Sequence, residues 1–268
     1  MKLLLSALAA LCVAGCVGAP SKAAHTGPAA GTLLHYVRSN PDGSEAEDIR
    51  VYRRDERHVA VMKSRERCTS AALVTATIDA ATGQATQLVA GRLGRDGRQV
   101  PIGVLDYDAR ARRIEATLDL PDRRLHGRID VPDLPWHLYD FDLASLTVAP
   151  PAAALAGRDF SFGLALVWLE DGDEGFLRYL GRADAIFQRD EVRDGRPARR
   201  YEIGGSAFDG RGGPLWLDAN DGHILAAEWQ MPNHAGYTGF KLVLVRHERA
   251  DDVRWNALLA SHYDGCPL

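Results

Sequence analysis

The segment Leu215-Trp216-Leu217-Asp218-Ala219-Asn220-Asp221-Gly222-His223-Ile224 comes nearest to a chemical motif in this chain. Asp218, Asn220 and Gly222 alternate as in a calcium loop, where oxygen atoms converge on a hard cation. The other ligands of such a loop and its distal Glu are missing, however. Asn220-Asp221-Gly222 also supplies the positive-φ positions of a hairpin turn, with Trp216 packing on a core, and the hairpin is the reading adopted. Glu170-Asp171-Gly172-Asp173-Glu174 crowds four carboxylates into five residues. Such a run holds a divalent ion weakly at best and is read as a solvated turn. None of the nine histidines stands in an HxH, HxxxH or HExxH pair. A metal site would therefore have to be assembled from distant strands, and none is predicted. His223 and Glu228 are five residues apart and fall on opposite strand faces. Asn233-His234 lies in a Pro- and Gly-containing loop, 231–237, where polar residues are expected to be displayed to a partner. Ser206 lacks the closing Gly and the strand–turn–helix setting of a nucleophile elbow. Gly210-Arg211-Gly212-Gly213 lacks the Lys and the helix of a phosphate loop. No catalytic residue and no cofactor are expected.

The cysteines carry chemistry of another kind. Met1-Lys2 precedes an apolar run from Leu3 to Ala14, which has the length of a signal h-region and is too short to cross a bilayer. Val13-Ala14-Gly15-Cys16 resembles a lipobox, so 1–15 is read as a signal peptide and Cys16 as the residue that receives lipid. The alternative is an ordinary secretory signal cut after Ala19, giving a soluble periplasmic protein. Val17 is not the Asp that retains many lipoproteins at the inner membrane, which points to the periplasmic face of the outer membrane. Cys12 leaves with the signal. Cys68 and Cys266 remain, and in an oxidising compartment they are expected to form one disulfide.

The elements that must position these residues are mostly strands. Residues 16–31 are small and polar and are read as a flexible tether, leaving 32–268 as a single domain. Hydrophobic residues make up 46% of the chain and the net charge is −4, with both signs interspersed. No basic aromatic patch suggests nucleic acid. Alternating segments at 32–38, 48–54, 58–63, 72–78, 84–93, 100–107, 113–120 and 125–131 form a first antiparallel meander. Segments at 160–169, 176–192, 199–204, 213–218, 223–231 and 237–246 form a second. Between them, Pro132, Pro135, Pro150 and Pro151 bracket a helical insert at about 134–157. A C-terminal helix spans 251–263, with Asp251 or Asp252 as its cap and Val253, Trp255, Leu258 and Leu259 on its apolar side. The fold class is mainly β: a large curved antiparallel sheet or incomplete barrel of roughly twelve strands, with a mid-chain helical segment and a C-terminal helix.

Segment 160–249, with Leu215-Trp216-Leu217-Asp218 and Gly222 in its hairpin, resembles exported bacterial proteins of the DUF3108 type. The overall layout is similar to the lipoprotein carrier and receptor folds LolA and LolB. That resemblance implies an incomplete antiparallel barrel covered by helices, whose apolar cavity takes acyl chains. It transfers no catalytic or lipid-contacting residue.

A concave sheet face must be filled by something. Trp136, Leu138, Tyr139, Phe141 and Leu143 are expected to form a lid over it, and a partly filled cavity beneath would bind an acyl chain or another apolar ligand. The alternative is a solidly packed interaction lipoprotein that docks an envelope protein through its loops. An envelope hydrolase without a legible motif is the third reading.

Overall fold

The computed structural model describes residues 27–169 and 174–267. The expectations for the signal peptide, for Cys16 and for acidic residues 170–173 fall outside them. The first meander comprises β1 (Thr32–Ser39), β2 (Glu47–Arg53), β3 (His58–Ser64), β4 (Ala72–Asp79), β5 (Gln84–Leu93), β6 (Gln99–Asp108), β7 (Arg113–Asp119) and β8 (Arg124–Asp130). The second comprises β10 (Phe160–Val167), β11 (Leu177–Arg193), β12 (Arg196–Gly204), β13 (Gly213–Asp218), β14 (Ile224–Trp229) and β15 (Phe240–Arg249), with the short β9 (Trp136–Leu138) ahead of it. Strand β7 shows why these segments extend: Ile114, Ala116 and Leu118 are buried while Glu115 and Asp119 face water, the period of a pleated strand. Turns are supplied as expected. At Asn40-Pro41-Asp42-Gly43 the Gly43 amide donates to the Asn40 carbonyl at 2.9 Å, and Gly43 takes a φ of 87°.

All the strands join one 15-stranded sheet in the order β8-β7-β6-β5-β4-β3-β2-β1-β15-β14-β13-β12-β11-β10-β9. Neighbours are antiparallel except β9 and β10, which run parallel. The two meanders are joined at β1 and β15, where Thr32 pairs with Arg249 and Ser39 with Lys241. The sheet is not closed, yet its ends approach one another. Gly127 on β8 sits so near the start of β11 that an added Cβ would lie 2.8 Å from the Phe176 ring. Residues 27–31, expected to be tether, belong to the body: the Gly31 amide donates to the Arg53 carbonyl at 2.7 Å, and Arg53 donates to the Pro28 carbonyl.

On the convex face, α3 (Asp252–Ser261) covers Leu33, Tyr52, Met62, Leu73 and Leu93 with Trp255 and Leu259. Asp251 caps it, accepting from the Arg254 amide at 2.8 Å. Val253 was expected on the apolar side but is 76% exposed. Two residues from Trp255 is about 200° around a helix, so Val253 points away from the sheet. The Cys68–Cys266 disulfide is present, with a sequence separation of 198, and it ties the end of α3 to the β3–β4 connection. A cross-link over so long a loop restricts the unfolded chain strongly. Replacing both cysteines with serine is expected to lower stability by about 2–4 kcal/mol in urea denaturation. A loss below about 1 kcal/mol would count against this role for the bond.

The mid-chain segment departs from expectation most. It consists of β9, a 3-10 turn (Tyr139–Phe141), α1 (Ala144–Val148) and α2 (Ala152–Leu155). Rather than lying on top of the sheet as a lid, it passes through the concave interior as a plug. Trp136, Tyr139, Phe141, Leu143, Leu146 and Val148 are each at most 2% exposed and belong to the main core. Six large apolar side chains on so short a segment are served better by an interior, where each gains roughly 1.5–3 kcal/mol, than by a one-sided perch.

Candidate functional site

The expected ligand-facing residues of 136–143 and the expected loop residues Asn233-His234 are far apart in sequence, and the fold brings them together. Asn233 follows β14 and is fully buried. Its Nδ2 donates to the Tyr139 carbonyl and to the Asp142 carboxylate, each at 2.8 Å. The Tyr139 hydroxyl donates to the Met231 carbonyl and accepts from the Trp229 indole. Asn233 and His234 therefore face inward, against the expectation of display. The Asn233 amide satisfies a carbonyl and a carboxylate that the plug carries into the core, where no water reaches them. The loop is a latch on the plug.

Two cations complete the latch. Lys63 Nζ lies 2.6 Å from Asp142 Oδ2, with the side chains 6% and 1% exposed. Lys63 also donates to the Asp140 carbonyl and lies 3.3 Å from His234 Nε2. Arg38, wholly buried, donates to Asn233 Oδ1, and its guanidinium carbon stands 3.1 Å from the centre of the Tyr237 ring. Burial alone would raise the Asp142 pKa, but Lys63, His234 and Arg38 outweigh it and hold the carboxyl below its usual range. Burial pushes Asp140 up to about 6, against the pull of Lys63. Burial, reinforced by Lys63, pushes His234 down to about 3. The cluster is thus a charge-balanced joint in which a neutral imidazole sits beside an ammonium.

Motif reading did not single out Arg38 or Lys63, although a signal for them exists. Leu34, Tyr36 and Arg38 share the inward face of β1, as Val59, Val61 and Lys63 share that of β3. A cation at the inward parity of an apolar strand must find a buried partner.

A serine–histidine pair also lies in the plug. His137 Nδ1 is 2.7 Å from Ser145 Oγ, a distance suited to nucleophile activation. Both residues are within the core, at 0% and 1% exposure, and His137 Nε2 has no partner. Burial drives His137 down to about 3, so the ring is a neutral packing group, T-shaped against Phe162. No substrate reaches it without unpacking the plug. Ser206, considered above as a nucleophile, accepts from the Arg182 amide at 3.0 Å and ties the turn that follows β12 to β11. A groove of about 280 Å³ lies on the opposite, convex face, lined by Tyr52, His58, Thr77, Gln87, Trp255 and Asn256, and takes no mid-chain residue. No helix among the described residues is long and apolar enough to cross a membrane.

No protein-family model matches the chain, and no curated protein matches it.

Proposed function

We propose that the chain is an exported, non-catalytic envelope lipoprotein whose β-body serves as a structural or interaction module, attached through lipid on Cys16 to the periplasmic face of the outer membrane. The observation that carries this reading is the filled concave face. The plug occupies with its own side chains the volume in which a half-barrel of this layout would hold an acyl chain. An apolar ligand would first have to break the Asn233, Arg38 and Lys63 contacts that latch the plug. The Cys68–Cys266 bond supports an oxidising compartment, in agreement with the signal at 1–15. The His137–Ser145 couple is sealed in the core, at 0% and 1% exposure, and offers no open site to a substrate.

The test combines two measurements on the full chain expressed in a Gram-negative host. Metabolic labelling with an alkyne fatty acid is expected to mark the wild type and not Cys16→Ser, and only the wild type should float with membranes. Native mass spectrometry of the mature protein is expected to show the mass of the lipidated chain with no co-purifying lipid. A soluble, unlabelled protein beginning at Pro20 would overturn the anchor. A stoichiometric extra lipid would overturn the filled-core reading in favour of a carrier.

A further inference from the structure

We infer that one end of the sheet is a docking surface for the phospholipid bilayer, made by the β2–β3, β6–β7 and β11–β12 turns, the β8–β9 link and the start of α3. The body stands on the membrane by this end, an inference that rests on the anchor at Cys16 proposed above. The antiparallel register gathers these connections: Arg53 pairs with Val59, Asp108 with Arg113, Arg193 with Arg196, and Thr32 with Arg249. The chain enters at the same end, since the Gly31 amide donates to the Arg53 carbonyl at the foot of β1. Eleven residues, Cys16 to Thr26, separate the anchored end from Gly27. A stretch of that length spans at most about 40 Å. Strand β5, with ten residues, is itself about 33 Å long. A body standing on its opposite end would draw the link nearly to full length, at a cost in conformational entropy. Standing on the end where the link enters demands no such extension.

The side chains at this end suit a headgroup layer. Val253 and Val192 are the most exposed large apolar residues among those described, at 76% and 73%, and both stand here, with Leu134 at 42% on the β8–β9 link. Apolar side chains displayed on separate turns can enter the boundary between headgroups and acyl chains without any large apolar face. Around them Arg57, Arg110 and Arg112 are exposed and form no ion pair among the described residues. The aspartates that open their turns are directed back to the backbone. Asp55 Oδ1 accepts from the Arg57 and His58 amides, each at 2.8 Å. Asp108 Oδ1 accepts from the Arg110 and Ala111 amides at 2.8 and 3.0 Å. The guanidinium groups are left to reach phosphate oxygens, with Glu56 as an exposed carboxylate beside them. Charge at this end is mixed, so the arginines support a contact that the anchor imposes.

The test imposes the attachment chemically. With Cys68 and Cys266 in their disulfide, the mature chain offers Cys16 as its free thiol. It is coupled there to a maleimide-headgroup lipid in phosphatidylethanolamine–phosphatidylglycerol vesicles that carry an acceptor dye on their headgroups. A donor dye is clicked onto Ala109→azidophenylalanine, in the β6–β7 turn, or onto Asp122→azidophenylalanine, beyond the other end of β7. Strand β7 holds the two positions about 23 Å apart, so energy transfer is expected to be about twofold or more stronger from position 109. Val192→Asp combined with Val253→Asp is expected to bring the two signals towards equality. Equal transfer in the unsubstituted surface, or stronger transfer from position 122, would overturn the proposal. A difference untouched by the two Asp substitutions would overturn it as well, since the apolar contact would be absent. Lipidation in cells is read separately by the fatty-acid labelling described above, so a failed anchor and a failed docking surface give different results.

Discussion

Lys63→Met is expected to lower the folding free energy by about 3–5 kcal/mol at neutral pH, measured by urea denaturation of the oxidised protein. Asp142 stays behind as a carboxylate with 1% of its side chain exposed, and Asn233 alone satisfies it. Removing one member of a buried pair strands the other, and the desolvation penalty of the survivor dominates the loss. Asp142→Asn combined with Lys63→Met is therefore expected to be clearly more stable than Lys63→Met alone, because the stranded charge is gone. Asn suits the site, since residue 142 has a φ of 52°, a conformation that Asn tolerates. Additive losses in the double variant would reject the buried-pair account. Amide exchange supplies a local readout: the amides of Thr147 and Ala149, which bond within the plug to Leu143 and Ser145, should lose protection in the single variant and regain it in the double.

Acid is expected to unfold the protein well before its carboxylates are all protonated. His137 and His234 have folded pKa values of about 3 against an ordinary 6.5. The unfolded chain thus takes up these protons first. The stability associated with the neutral rings is whole above pH 6.5 and falls as pH drops towards 3, by on the order of 1 kcal/mol per pH unit and group. Asp140 works in the opposite direction. Its folded value of about 6 lies above the ordinary 3.8, so the penalty of its charge is relieved as pH falls through 6, which returns part of the loss. Glu47, raised by burial, acts in the same sense as Asp140, whereas the depressed Asp142 adds a further loss below its unfolded value. Two histidines with the wider windows prevail, and the urea midpoint is expected to drop steadily from pH 6.5 to 4. His137→Gln, which keeps a partner for Ser145, should be less stable than wild type at pH 7 and show a visibly shallower slope. Equal slopes in the two proteins would mean that His137 is protonated freely in the fold.

Segment 84–93 was read with the bounds of β5, and 113–120 differs from β7 by a single residue, because alternation is a local property of a half-buried strand. Asp251 capped α3 as expected, since the capping bond reaches only to Arg254. Strand β12 begins at Arg196 rather than 199, because Asp194-Gly195 makes a tight turn with φ of 49° and 75° that was passed over. Strand β9 was missed. It has only three residues, follows Pro135, and is held by pairing with β10 and by Gln84, whose side chain accepts from the Trp136 amide at 2.9 Å. None of those partners is near it in sequence.

From the sequence alone came the antiparallel meanders, most turns, the terminal helix with its cap, and the pairing of Cys68 with Cys266. Each rests on spacing, turn chemistry or simple counting over a few residues. The tertiary structure alone decided that residues 136–149 run through the interior, that Asn233 turns inward to hold them, that Lys63 meets Asp142, and that His223 meets His247. These outcomes depend on β1 pairing with β15 and on the curl that brings β8 towards β11, which set distances between residues tens to hundreds of positions apart. Periodicity identifies the inward face of a strand, and only the curl of the whole sheet determines what that face encounters.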